Sequence, residues 1–106
     1  MSEGVLGGNV RGLWLVQASF DPANIATITT AESTATVPGL KTTDFVFASK
    51  PTLTAGLGIA GCRVSAADTL AVTFVNPTAA GVNAGAETWT FLVVRPSGPL
   101  PTGFSD

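Results

Sequence analysis

The chain has 106 residues, of which 45% are hydrophobic and only 11% charged, and it carries a net charge of −2 with no histidine and no tyrosine. That length suits one domain and is too short for two that each close a core. Without histidine, Ser-His-Asp and Cys-His catalytic sets are excluded, and the side chain most used to ligate transition metals is missing.

Residues 1–12 read as a Gly-rich arm, because Gly4, Gly7, Gly8 and Gly12 weaken helix and strand alike. Its start, Met1-Ser2-Glu3-Gly4, places an acid where the basic region of a signal peptide belongs. Leu13-Trp14-Leu15-Val16 follows as a short apolar block without polar alternation. Such a block is expected of a strand covered on both sides, and a neighbouring subunit is one candidate cover.

Residues 13–95 form the predicted domain. Turn signals recur through it at Asp21-Pro22, Pro38-Gly39, Pro51, Gly56, Gly58, Gly61, Asn76-Pro77, Gly81 and Gly85. This spacing suits short strands and leaves little room for a helix of ordinary length. Between the turns, Ile25-Ala26-Thr27-Ile28-Thr29 and Thr34-Ala35-Thr36-Val37 are rich in β-branched residues and lack helical periodicity. Phe45 and Phe47 show alternation in the middle of the chain. From 69 to 75, Leu70, Val72 and Phe74 alternate with Ala71, Thr73 and Val75, which puts the bulkier side chains on one face. The predicted partner strand covers 59–65, with Ala60, Cys62 and Val64 facing the core and Ala66-Ala67-Asp68 making a hairpin connection. In the last strand, 88–95, Trp89, Phe91 and Val93 alternate with Thr88, Thr90 and Leu92.

Residues 96–106, with Pro96, Pro99 and Pro101, form a Pro-rich tail of extended, polyproline character. It is either a disordered terminus or an arm that docks Leu100 and Phe104 into a neighbour. The expected fold class is therefore all-β: an antiparallel β-sandwich, jelly-roll or immunoglobulin-like, of about seven to eight short strands.

Little in the chain points to catalysis. The acid–base candidates are Asp21, Asp44, Asp68, Asp106, Glu3, Glu32, Glu87, Lys41 and Lys50. Asp21, Asp44, Asp68 and Glu87 fall at turns or strand ends, where a carboxylate shapes a turn or sits in solvent. A carboxylate-type hydrolase is one alternative reading, with Asp44 and Asp68 as its pair. Cys62 has no nearby base and reads as a small core residue. No cofactor site and no metal site is predicted, since Gly7-Gly8-Asn9 and Gly56-Leu57-Gly58 lack phosphate-loop spacing and no loop gathers acids.

The basic residues Arg11, Lys41, Lys50, Arg63 and Arg95 are scattered, which argues against nucleic-acid binding. The longest apolar runs, 13–16 and 91–94, fall far short of the ~20 residues of a membrane-spanning helix. A surface so short of charge is permissive for packing against other protein, so the partner expected first is a second copy of the chain. Trp89 reads as core, whereas Trp14, beside the arm, reads as an interface anchor. The predicted partner-binding residues are Val5, Leu6, Leu13, Trp14, Leu100 and Phe104.

One resemblance adds to this reading. Val37-Pro38-Gly39-Leu40-Lys41-Thr42-Thr43-Asp44-Phe45-Val46, Gly56-Leu57-Gly58-Ile59 and Arg63-Val64-Ser65-Ala66-Ala67-Asp68-Thr69-Leu70 are followed by Val72-Thr73-Phe74-Val75-Asn76-Pro77-Thr78 and Phe91-Leu92-Val93-Val94-Arg95. This succession resembles head decoration, or cement, proteins of tailed bacteriophages. The resemblance implies a β-sandwich, often trimeric, made in the host cytoplasm and bound on the outer capsid surface to the major capsid protein. It carries no catalytic residues and says nothing of the two arms. A phage tail, fibre or host-adhesion module, with exposed aromatics stacking on carbohydrate, is the other reading.

Overall fold

The computed structural model describes residues 8–103. Among them lie six strands and no helix: β1 (Val10–Phe20), β2 (Thr29–Thr36), β3 (Phe45–Ser49), β4 (Gly58–Ala66), β5 (Thr69–Asn76) and β6 (Glu87–Pro96). They form two antiparallel three-stranded sheets, ordered β1-β6-β3 and β2-β5-β4. Six strands stand where about seven to eight were expected. The difference arises in part at residues 25–28, which contribute only a single bridge, Ile25 to Val82, before β2 begins at Thr29.

The inner faces of both sheets share one hydrophobic core. β6 supplies Trp89, Phe91 and Val93, β3 supplies Val46, and β5 supplies Leu70, Val72 and Phe74, all buried. At its centre Phe20 meets Trp89 edge-on with centroids 4.9 Å apart, and Phe74 meets Trp89 edge-on at 5.9 Å. Edge-to-face contacts of this kind place the positive ring edge on the negative ring face. The period-2 expectation for β5 and β6 is met for the bulky residues of both strands.

The β4–β5 hairpin also follows expectation, with Ala67 and Asp68 between the strands and Asp68 in the left-handed region at φ 61°. Aspartate tolerates that region better than most side chains. Asp68 then serves as an anchor: its N–H donates to the Leu40 carbonyl at 3.0 Å, its carbonyl accepts from the Val37 N–H at 2.9 Å, and its Oδ1 accepts from the Gly39 N–H at 2.8 Å. The loop carrying Pro38 and Gly39 is thereby fixed to the hairpin, which buries Val37 and Leu40.

In β4 the expectation holds for only part of the strand. Val64 is buried and Cys62 half-buried, but Ala60 is exposed. A register irregularity between Ile59 and Gly61 takes Ala60 out of the alternation.

Asp44 stands at a turn before β3 as expected, its N–H donating to the Lys41 carbonyl at 2.9 Å, but its carboxylate is not a solvated one. Its side chain is wholly buried, paired with Arg95. The polar loops are closed by another buried side chain, Asn76. Its amide nitrogen donates to the carbonyls of Ile25, Ala26 and Ala80, and its Oδ1 accepts from the N–H and hydroxyl of Thr78.

Candidate interaction surface

Alternation gives every strand of the β1-β6-β3 sheet two faces, and the inner one is the core just described. On the outer face, pairing places Leu13 opposite Val94 and Val94 opposite Phe45. The next row is Leu15, Leu92 and Phe47, and the third is Gln17, Thr90 and Ser49. Two consecutive rows are thus apolar across all three strands. The side chains at their ends are well exposed: Leu13 44%, Leu15 76%, Phe45 52% and Phe47 63%. With Ser19 and Thr88 beyond the third row, no outer-face position in these rows is charged.

The alternation at Phe45 and Phe47 is present, but it turns both rings outward and Val46 inward. Val46 pairs with Val93, itself buried, which commits that side of β3 to the core. The apolar block at 13–16 pairs with the second apolar run, 91–94, position for position. Val16 and Phe91 lie on the core side, while Leu13, Leu15, Leu92 and Val94 lie on the outer side. Only one side of that block is covered within the chain.

The opposite face of the molecule has a different chemistry. On the outer side of the β2-β5-β4 sheet, Thr30, Glu32, Thr34 and Thr36 line β2. Arg63 Nε and Nη2 donate to Glu32 at 2.6 and 2.9 Å. Glu32 lies opposite Thr73 and Arg63 opposite Ala71, so the pair reaches diagonally across β5, and Ala71 beneath it is wholly buried. The Arg63 guanidinium holds the Glu32 carboxyl below its ordinary range.

At the end of the core nearest residue 12, Trp14 lies half-exposed under Arg95, whose guanidinium carbon is 5.1 Å from the ring centroid. Gly12 makes this possible, since a Cβ there would fall 2.8 Å from the indole. Arg95 also donates to the Gly39 carbonyl at 2.9 Å. Asp44 accepts from Arg95 and, at 2.9 Å, from the Lys41 N–H. The Arg95 hydrogen bonds are the main cause that holds its carboxyl below the usual carboxylate range. This arrangement rigidifies one edge of the apolar face, because Phe45 follows Asp44 directly.

Of the predicted partner-binding residues, Leu13 belongs to the apolar face. Trp14 lies on the other side of β1 and contacts Arg95. Leu100, 50% exposed, lines an open recess of about 640 Å³ together with Phe45, Pro96 and Pro99. Val5, Leu6 and Phe104 lie outside the described residues. The strand β1 begins at Val10, within the segment read as the arm, and Pro96 ends β6 instead of opening the tail. Sequence reasoning missed Leu15, Phe45, Phe47, Leu92 and Val94 as surface residues. The available signal was the absence of polar alternation in 13–16 and 91–94.

Asp44 is bound to Arg95 and to the Lys41 N–H, and Asp68 to the Gly39 N–H, so each carboxylate is held by groups of its own. Among the described residues no three of His, Cys, Asp and Glu gather as metal ligands. Burial pushes the Cys62 thiol up to about 11, away from the thiolate form a nucleophile needs. No family model, curated protein or solved structure matches the chain.

Proposed function

We propose that this chain is a structural virion protein that decorates and stabilises a phage capsid, three copies together sitting on the outer surface of the major capsid protein shell. The observation that carries the assembly part is the uncharged apolar face of Leu13, Leu15, Phe45, Phe47, Leu92 and Val94. A surface of that kind costs free energy in water and is relieved by protein–protein contact. The capsid part rests on the sequence resemblance.

Under the same reading, the two sheets and their shared core are an antiparallel β-sandwich smaller than a jelly roll or an immunoglobulin domain, which use eight and seven strands or more. The protein acts by binding, without catalysis or cofactor. A shell displays its sites at fixed spacing, so an oligomer binds through several modest contacts at once and gains avidity. Its place is the exterior of the virion, reached after synthesis in the host cytoplasm. A carbohydrate-binding adhesion module is the weaker reading, because Trp89 is fully buried, Trp14 carries Arg95 on its ring, and the exposed rings of Phe45 and Phe47 stand in rows without a polar side chain to hydrogen-bond a sugar.

The test is reconstitution. Capsids purified without the protein are mixed with it, then sedimented and heated. Co-sedimentation at saturating stoichiometry with a raised shell melting temperature is expected. Absence of binding to shells of the phage that encodes it would sink the proposal.

A further inference from the structure

We infer that the apolar face is covered by the same face of further copies of this chain, with Leu13 and Leu15 of one copy packed on Phe45 and Phe47 of the next. The inference rests on the oligomeric reading above and names the contact that builds the oligomer, leaving the other surfaces to meet the shell.

Area is the first argument. Leu13, Leu15, Phe45 and Phe47 are 44%, 76%, 52% and 63% exposed. With side chains of roughly 200 Å² each, they leave on the order of 500 Å² of apolar surface, at the upper end for a monomer and most of the ~800 Å² per partner of a stable interface. The half-buried Leu92 and Val94 between them supply part of the remainder.

Charge is the second. The outer-face positions in the rows from Leu13 to Ser19 are all uncharged, so a docked surface bearing Lys, Arg, Asp or Glu would lose hydration there and gain no counter-charge. A second copy supplies a matching uncharged surface. The ion pairs are elsewhere: Glu32 with Arg63 on the opposite face, Asp44 with Arg95 on the core side, and Lys50 with Glu87 at 2.7 Å; the charge that borders the two apolar rows is Arg11, exposed two residues before Leu13 at the register irregularity of β1.

Shape is the third. β1 and β3 are the two edge strands of the sheet, one bearing a leucine row and the other a phenylalanine row. Packing large against small lets facing rows interdigitate. At a strand spacing of about 4.8 Å, kept also between the edge strands of neighbouring copies, three such three-stranded sheets enclosing an axis each stand roughly 5.5 Å from it, close to half of the usual ~10 Å between packed sheets. In such an arrangement each corner sets a β1 edge beside a β3 edge, covering strands that would otherwise be open to uncontrolled pairing.

The experiment is a charge exchange within one chain. Leu15→Lys and Phe47→Glu are made singly and together, and mass is measured by light scattering across a dilution series, with circular dichroism to confirm the fold. Both positions are exposed, so folding is retained. Wild type is expected at the mass of three copies, with each single variant shifting the dissociation midpoint by roughly 30-fold or more, as hot-spot losses do. The double variant sets the introduced ammonium of one copy against the introduced carboxylate of the next and recovers association. The inference is overturned by a monomeric wild type, by single variants that keep the wild-type mass, or by a double variant that associates no better than the singles. The same proteins added to bare shells separate the two claims. Single variants that dissociate yet still bind shells support both. Loss of association with no shell binding by wild type supports the contact and overturns the capsid function.

Discussion

Arg95 closes on both carboxylate oxygens of Asp44, Nε to Oδ1 and Nη2 to Oδ2, each at 2.8 Å. The two residues are far apart in sequence and lie at the ends of adjacent strands of one sheet, so the pair fixes the entry to β3 against the exit of β6. A bidentate geometry of this kind combines charge with a fixed orientation. Because the Asp44 side chain is wholly buried, removal of its partner leaves an uncompensated charge.

Arg95→Ala is therefore expected to cost about 3 kcal/mol at neutral pH, and Asp44→Asn less, since the amide still accepts one hydrogen bond. Urea denaturation measures both. The place of Phe45, next to Asp44, gives a second readout: loosening the pair frees one end of the apolar face, so Arg95→Ala also weakens self-association. Unchanged unfolding midpoints in both variants would show that the pair does not hold the sheet.

The pH dependence follows from the direction of the Asp44 shift. Its pKa in the fold lies below the ordinary 3.8, so the stabilisation it provides is complete above the unfolded pKa and is lost as pH falls from there through the folded pKa. Wild type is expected to lose stability on acidification below about pH 4, and Asp44→Asn to show a shallower loss over the same range. Unfolding midpoints at a series of pH values decide the matter; parallel curves for the two proteins would refute the assignment.

Asn76 explains how the irregular 21–28 and 77–82 segments are held without strands. Fully buried, it satisfies three carbonyls and both donors of Thr78. Asn76→Ala leaves the Ala26 carbonyl and the Thr78 N–H without these partners, while the Ile25 carbonyl keeps the Val82 N–H and the Ala80 carbonyl the Thr78 hydroxyl, and with the cavity it opens is expected to cost roughly 3 kcal/mol or more. Asn76→Asp is worse at neutral pH, because an anion would face the carbonyl oxygens of Ile25, Ala26 and Ala80. Thermal melts compare the three proteins. A change under about 0.5 kcal/mol in Asn76→Ala, the usual range of a surface substitution, would contradict this role.

How far the sequence discloses this structure depends on whether one face of a strand differs chemically from the other. In Trp89, Phe91 and Val93 the large residues alternate with threonine over half the strand, and the core side is evident. At Phe45, Val46, Phe47 and Ala48 both faces are apolar, so period 2 shows that there are two faces without showing which is inside. The register with Val93 decides it. The block at 13–16 suggests two covers, but that it and the run at 91–94 leave the same face open becomes visible only when they pair. Asp44 and Asn76 read as turn residues locally because their partners are brought to them by the fold. Ala60 fails for a smaller reason, one register irregularity.

Cys62 offers a chemical check on the seam between β3 and β4. Burial raises its thiol from 9.0 to about 11, and with no base nearby the thiolate is about 100-fold scarcer than in the unfolded chain at neutral pH. Disulfide-exchange labelling at about pH 7.5 is expected to be slower in the native protein by that factor or more, and to rise about tenfold per pH unit up to about pH 11. Equal rates in native and unfolded protein would place the thiol in open solvent.

Trp89 carries the last expectation. Its ring is fully buried among Phe20, Phe74 and Phe91, yet Nε1 has no hydrogen-bond acceptor among the described residues. A buried donor left unpaired costs about 1–3 kcal/mol. Trp89→Phe removes that donor along with part of the ring, so the cavity loss and the polar relief oppose each other, and a net change within about 1.5 kcal/mol is expected. Trp89→Ala has no such compensation and should cost about 3–5 kcal/mol. Urea titrations measure both, and the Phe variant leaves Trp14 as the sole indole, so its quenching by iodide reports separately on that half-exposed ring. If Trp89→Phe proves as damaging as Trp89→Ala, the indole N–H is satisfied and holds the core together.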